Sequence, residues 1–415
     1  MERSARGYRL RCCGCGAEYE DDGVRLDCST PHAPALLRSV FPRAFAAEGA
    51  AMQRYRRWLP VGRTIETTAR IAVYRSTHLA GALGLSNLWI AFSGWWPERG
   101  ATLATTTFKE LEAYAVLGRL AESEERTLVI ASAGNTAAAF ARAATEQKLP
   151  VVIVIPMAAW ERLARLVEIG PTVRVIAIDG GQYDDAIAFS RTLAAQSGFV
   201  LEGGVRNVAR RDGMGTVMLA AAEAIGALPD VYVQGVGSGA GALAAHEAAL
   251  RLIDDGRYGT RLPRLFLGQN APFTPIHDAW SCAGDRLVER SADLAREQVA
   301  SILASVLSNV APPYDFAGGL REALSQSGGQ TFAVANHEVL TAMQLFRKLE
   351  GIDIEPAAGV ALAALNQAHG NGDLRADATV LMHVTGGGAA RREPVLRAQQ
   401  PSLVVTHGAS AALAS

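Results

Sequence analysis

The chain of 415 residues is 49% hydrophobic and 20% charged, which fits a globular protein large enough for two lobes sharing one core and excludes a disordered one. Lys+Arg 40 against Asp+Glu 41 leaves a net charge of −1, so no general electrostatic pull directs it toward nucleic acid or an acidic membrane. The opening Met1-Glu2-Arg3-Ser4-Ala5-Arg6 lacks the apolar stretch of a signal peptide. The most apolar window, Val151 to Trp160, is half a membrane span and contains a Pro, so a cytoplasmic location is expected.

Residues 1 to about 40 read as a distinct head. Cys12, Cys13, Cys15 and Cys28 are crowded there, with His32 close behind. Cys12-x2-Cys15 followed by Cys28-x3-His32 loosely matches the ligand spacing of a small zinc ribbon, although the usual second C-x2-C is missing. A metal-free relic held by packing is the competing reading, and no metal is assigned on spacing alone. Either form is structural, because four filled ligand positions leave none open for chemistry.

From about residue 100 the chain alternates strands and helices. Thr127–Ala131 is a short apolar run followed by an Ala-rich helical stretch over 136–147. Pro150 opens Val151-Val152-Ile153-Val154-Ile155, a β-branched run expected as a strand buried on both faces. A helical stretch to Ile169, a strand over 173–178 and a helix over about 182–197 follow. Val231–Gln234 precedes a Gly-rich turn and a long helix to about Asp254. Leu265–Leu267 and Thr379–Val384 complete the strands. This alternation predicts an α/β fold of mostly parallel sheets with helices on both faces. The segment 270–330 gives no clear pattern, and Cys282 within it reads as a buried small hydrophobe.

Three stretches lie where strands pass into helices, which is where open α/β sheets bind ligands. Ser132-Ala133-Gly134-Asn135-Thr136 offers small residues and the free N–H groups of a helix start, or else a plain turn capped by Asn135. Gly235-Val236-Gly237-Ser238-Gly239-Ala240-Gly241 is dense enough in Gly to cradle a phosphate at a helix N-terminus. It also satisfies G-x-G-x-x-A, but no acidic residue caps the next strand, so a nicotinamide enzyme of Rossmann type is the weaker reading. Thr105-Thr106-Thr107-Phe108-Lys109 is a hydroxyl-rich loop entering a helix. A lysine there is ordinarily solvated; if buried, the positive helix end depresses its amine pKa, as a Schiff-base lysine requires.

Lys109, Ser-x-Gly-Asn at 132–135, the Gly loop at 235–241 and Thr385-Gly386-Gly387-Gly388 occur in the order found in fold-type II pyridoxal-phosphate enzymes. The chain resembles the threonine synthase branch of that superfamily, and is more similar still to the cysteate synthases. The marks are Phe92-Ser93-Gly94-Trp95-Trp96-Pro97-Glu98-Arg99-Gly100, Phe108-Lys109-Glu110-Leu111-Glu112-Ala113 and the segment from Glu202 to Gly215; the Cys-bearing head and Trp58-Leu59-Pro60 fit as well. Thr107 stands where Ser is commoner before Phe-Lys, and Ala240 supplies no hydroxyl where Thr is unsurprising. These departures bear on the nucleophile more than on cofactor binding.

The resemblance implies a two-lobed fold like that of the tryptophan synthase β subunit. The smaller lobe is expected over 85–205 and the larger over 41–84 and 206–415. It implies pyridoxal 5′-phosphate held by Lys109 as an internal aldimine, Asn135 on its 3′ oxygen, and Gly237, Ser238, Gly239, Ala240 and Gly241 on its phosphate. Thr385 would face the pyridine nitrogen. A hydroxyl cannot keep that nitrogen protonated as a carboxylate would, which suits β-elimination more than transamination.

Ser132, Gly134 and Thr136 would clasp the substrate carboxylate. The implied reaction is O-phospho-L-serine plus sulfite to L-cysteate and phosphate through an aminoacrylate, in coenzyme M or sulfonate biosynthesis. Threonine synthase, or another β-replacement on a related phosphorylated or sulfonated amino acid, is the alternative within the chemistry. A non-catalytic binding protein is the alternative outside it. Both anions call for guanidinium partners, and Arg206, Arg210 and Arg211 are the candidates. Homo-oligomerisation is implied by the resemblance alone.

Overall fold

A computed structural model of the chain describes residues 6–42, 44–120, 126–132 and 134–408. β-Branched runs dominate two sheets whose strands are buried on both faces. The smaller sheet has five parallel strands, in the order Phe199–Leu201, Thr127–Ala131, Val151–Pro156, Val173–Asp179, Leu403–Thr406. The larger has six, in the order Gln330–Val334, Arg264–Asn270, Val231–Gly235, Thr379–Val384, Asn87–Phe92, Ala72–Arg75. All six are parallel save the last, an antiparallel edge. The α/β architecture with mostly parallel sheets is therefore as the residue pattern predicts.

Four helices, Lys109–Arg119, Asn135–Gln147, Val208–Ile225 and Ala240–Asp255, pack in a row between the sheets. Their Ala- and Leu-rich faces share one apolar core with residues of both sheets, including Ile130, Ile153, Tyr232 and Leu381. A second core under the larger sheet takes helices Asn336–Glu350 and Pro356–Gly370. Among the described residues no helix is long and apolar enough to cross a membrane.

Two strands cut across the expected lobe boundaries. Asn87–Phe92 pairs with Thr379–Val384 in the larger sheet, although 85–205 was expected as the smaller lobe. Leu403–Thr406 pairs with Val173–Asp179 in the smaller one. Sequence adjacency does not reveal such returns, because parallel pairing needs a crossover whose length is free. The unread segment 270–330 holds helices Pro275–Ser281, Ala292–Ser301 and Leu320–Ser327. Cys282 ends the first of these and is exposed, which corrects its reading as a buried hydrophobe.

The head is a three-stranded antiparallel sheet, Glu18–Glu20, Arg9–Cys12 and Leu37–Val40. Its apolar face, with Leu10 and Leu37, packs on Val208 at the start of a central helix.

Candidate active site

Strand ends and helix starts from both sheets converge on a cavity of about 470 Å³ lined by Lys109, Asn135, Arg210, the 234–241 loop and Thr385. Lys109 is the first residue of its helix, as its place after the hydroxyl-rich loop predicts. The loop is stitched to the end of strand Thr379–Val384. Phe108 N donates to Thr385 O at 3.0 Å, and Gly387 N donates to Thr106 O at 3.0 Å. Thr106 is thereby held at φ 61°, a left-handed conformation that costs a β-branched residue about 1–2 kcal/mol. The strain fixes where the helix begins and so where the lysine emerges.

The Lys109 ammonium donates to Glu112 Oε2 at 2.9 Å. Burial pushes its pKa below the usual lysine range, Glu112 opposes the shift, and the nearby Arg210 guanidinium reinforces it. The other oxygen of Glu112 accepts from Thr136 Oγ1 and from Arg210 Nη1, each at 2.9 Å. Arg210 is clamped from its far side by Glu202, at 2.8 and 2.6 Å. The outcome is a buried row of two carboxylates and two cations that balances while the lysine keeps its proton, so Glu112 and Glu202 oppose the loss that burial and Arg210 favour.

On the opposite wall, Asn135 opens helix Asn135–Gln147. Its amide oxygen accepts from Arg162 Nη2 at 2.7 Å and its amide nitrogen donates to Glu355 Oε2 at 3.0 Å. One amide hydrogen remains for an acceptor in the cavity. Burial raises the Glu355 carboxyl above its ordinary value. Asn135 does not cap the helix. Gly134 stands at the cap position, and the Ser132 hydroxyl serves the first turn, accepting from Gly134 N at 3.2 Å and Ala137 N at 3.0 Å. Ala133 lies outside the described residues.

The glycine loop meets the start of the sixteen-residue helix Ala240–Asp255, whose first-turn amides lack intrahelical acceptors. Gly239 sits at φ 74°, and a Cβ there would lie 2.3 Å from Leu320 Cδ1. A Cβ on Gly237 would lie 2.9 Å from Leu307 Cα. The loop thus requires glycine at both positions and presents backbone instead of side chains to the cavity.

Beneath it, Ser93 Oγ, His383, Tyr232 and Gln234 form a buried chain at 2.9, 2.8 and 3.0 Å. Burial holds His383 down at about 3, so the ring is neutral. With the Tyr232 hydroxyl donating to Gln234, His383 Nδ1 carries the proton and Nε2 accepts from Ser93.

The three arginines separate. Arg210 lines the cavity. Arg206 is half-exposed in the preceding turn and pairs with Asp27 at 3.1 Å. Arg211 is fully buried against Glu247, at 3.0 and 3.1 Å, and donates to the carbonyls of Val205 and Leu37. Consecutive helix positions diverge by about 100°, which is why Arg210 faces the cavity and Arg211 the head. Arg206 and Arg211 therefore do not line the site as expected. Residues that the sequence did not single out do line it: Arg162, Glu355, Gln234 and the segment 305–309.

A lysine of depressed pKa, a backbone cradle at a helix start, a spare amide hydrogen on Asn135 and the Thr385 hydroxyl make a donor set that fits a phosphorylated pyridine aldehyde. The family model "Pyridoxal-phosphate dependent enzyme" matches residues 98–386. Cysteate synthase of Methanoculleus marisnigri is 46% identical over 388 residues, 92% of this chain and 89% of that protein. Cysteate synthase of Methanosarcina barkeri is 42% identical over 409 residues, 95% and 98% of the two chains.

Among solved structures, a fungal L-serine ammonia-lyase from Rhizomucor miehei superposes with a TM-score of 0.60 at 16% identity, over 80% of this chain and 96% of that one. Serine racemase from Dictyostelium discoideum gives 0.58 at 15% identity, over 78% and 93%. These two speak to the fold alone. The chain is a pyridoxal-phosphate-dependent enzyme of fold type II and belongs to the cysteate synthase family.

Proposed function

We propose that the enzyme replaces the phosphate of O-phospho-L-serine by sulfite, forming L-cysteate and releasing phosphate, as a step toward coenzyme M or related sulfonates. The observation that carries the reading is the Lys109–Glu112–Arg210–Glu202 row facing a glycine-built anion cradle, in a chain 42–46% identical to the cysteate synthases compared above. Lys109 would hold pyridoxal phosphate and the loop Gly237 to Gly241 its phosphate, and the cofactor so held would supply an electron sink for charge developing at the substrate Cα.

The remaining steps belong to side chains. The Lys109 amine, its pKa lowered by burial, takes the α-proton as general base once the substrate amine has displaced it, and Glu112 stabilises the ammonium so formed. The Ser132 hydroxyl and the backbone of the helix start from Gly134 to Thr136 bracket the substrate carboxylate, the Thr136 hydroxyl proton being held by Glu112. Arg162 stands half-exposed beside the cavity, with its guanidinium on Asn135 and 3.7 Å from Glu355. It is the guanidinium suited to receive the departing phosphate and then the entering sulfite, because both salt bridges of Arg210 are already taken. Thr385 lines the cavity and would meet the pyridine nitrogen with a hydroxyl, which favours loss of a good β-leaving group over transamination. A cytoplasmic enzyme that self-associates completes the reading.

The test is phosphate release from O-phosphoserine by the cofactor-loaded enzyme, with and without sulfite, with products identified by mass. Cysteate formed only with sulfite is the expected outcome. Phosphate released without cysteate keeps the elimination and assigns another acceptor. Phosphate released from O-phosphohomoserine alone, with threonine formed, moves the enzyme to the threonine synthase reaction.

A further inference from the structure

The head brings together four side chains that the active site does not use. Cys12 and Cys15 leave the turn after strand Arg9–Cys12, and Cys28 and His32 follow the loop after Glu18–Glu20. Their four ligand atoms all lie within 4.8 Å of one another. Cys15 Sγ is 3.6 Å from Cys28 Sγ, and Cys12 Sγ is 3.2 Å from His32 Nε2. A tetrahedral ion with bonds of about 2.3 Å to sulfur and about 2.0 Å to nitrogen sets its ligands roughly 3.5–3.8 Å apart. We propose that Cys12, Cys15, Cys28 and His32 bind one zinc ion in a closed, structural site.

The surroundings are those of metal ligands. Gly14 N donates to Cys12 Sγ at 3.3 Å and Thr30 N to Cys28 Sγ at 3.4 Å, each from two residues further along. Such donors favour the thiolate, which is the form that binds metal. The Tyr19 hydroxyl adds a contact to Cys28 Sγ at 3.0 Å. His32 Nδ1 lies 2.6 Å from the Ala33 carbonyl and so carries the proton, which leaves the lone pair of Nε2 facing the sulfurs. A disulfide would use two of these groups and leave the orientation of His32 without purpose. Cys13 is excluded from the set, since its sulfur lies against Gly318.

Three thiolates and an imidazole in tetrahedral array select zinc among common divalent ions, and four protein ligands leave no position for a substrate. The site closes the loop between Cys15 and Cys28. In that loop Asp21 takes two of the Arg119 nitrogens at 2.7 and 2.9 Å, Asp27 takes Arg206, and Leu26 covers Gly203. Gly203 follows Glu202, the residue that clamps Arg210. The zinc therefore braces, from outside, the turn that holds the buried charge row.

The experiment uses the full chain loaded with cofactor, purified with reduced thiols and no chelator. One zinc per chain by elemental analysis is expected, lost in Cys28→Ser and in His32→Ala. Replacement by Co(II) should give the visible d–d bands of a tetrahedral thiolate site. Chelation should lower Tm by several degrees, with zinc alone restoring it, while the absorbance of Lys109-bound cofactor reports separately on the active site. Since the variants can fail to fold, the Co(II) spectrum of the unaltered protein is decisive. No bound metal and no cobalt spectrum with all thiols reduced, or a Cys15–Cys28 disulfide found by mass, would overturn the proposal.

Discussion

The cavity has two kinds of wall. One, from Gly235 to Gly241, is backbone, fixed by a strand end, a helix start and close contacts with Leu307 and Leu320. The other is made of side chains, Lys109 and Arg210 with Glu112 and Glu202 behind them on one side, and Asn135 with the charged Arg162 and Glu355 on the other. The backbone wall binds by geometry and tolerates no added atoms. The charged wall acts by balance: burial and Arg210 lower the Lys109 pKa while Glu112 raises it.

Breaking each wall should have a different signature. On the proposed reading, Lys109→Ala removes both the cofactor bond and the base. Turnover should fall roughly 10³-fold or more, with loss of the visible absorbance of lysine-bound cofactor. Retained turnover in that variant would sink the assignment. Gly239→Ala places a Cβ against Leu320 at a left-handed position and should weaken cofactor binding about tenfold, measured by titration, with the thermal transition only slightly lowered.

On the charged wall, Arg162→Ala should raise KM for the phosphorylated substrate about tenfold, the scale of one lost charge-assisted bond. Arg206→Ala removes an exposed pair and should stay within about twofold. Equal effects from these two would erase the distinction drawn between them. Glu112→Gln removes the anion that holds the Lys109 proton, so cofactor loading of the apoenzyme should extend to lower pH.

The smallest effect is one of stability. Burial raises Glu110 to about 7, so between its ordinary value near 4.5 and 7 the folded state binds a proton that the unfolded state has released. Stability from this group declines as pH rises through that window. Glu110→Gln should therefore raise Tm at pH 8 and change it little at pH 4. His383 has the opposite sign. Held at about 3 when folded, it costs stability as pH falls below 6.5.

What could be read beforehand follows the same division. The strands Thr127–Ala131, Val151–Pro156, Val173–Asp179 and Thr379–Val384 were legible because burial on both faces demands continuous β-branched runs. The glycine loop at a helix start and the place of Lys109 at another were legible because their marks lie in consecutive residues. Arg162 and Glu355 were not, since their only signal is a meeting across the fold with Asn135, 27 and 220 residues away. The segment 305–309 carries no periodicity, and its place over Gly237 depends on the packing of Leu307. Arg206, Arg210 and Arg211 looked equivalent until the start of a helix at Val208 gave each its own direction.

Strand Leu403–Thr406 imposes an order on synthesis. It completes a sheet whose neighbour, Val173–Asp179, leaves the ribosome more than two hundred residues earlier. Throughout that interval the nascent chain carries an apolar strand with an open hydrogen-bonding edge, the arrangement most prone to pairing with another chain. A chaperone that shields this edge, or a slow stretch of translation placed after it, would decide the yield of active enzyme without touching any residue of the catalytic cavity.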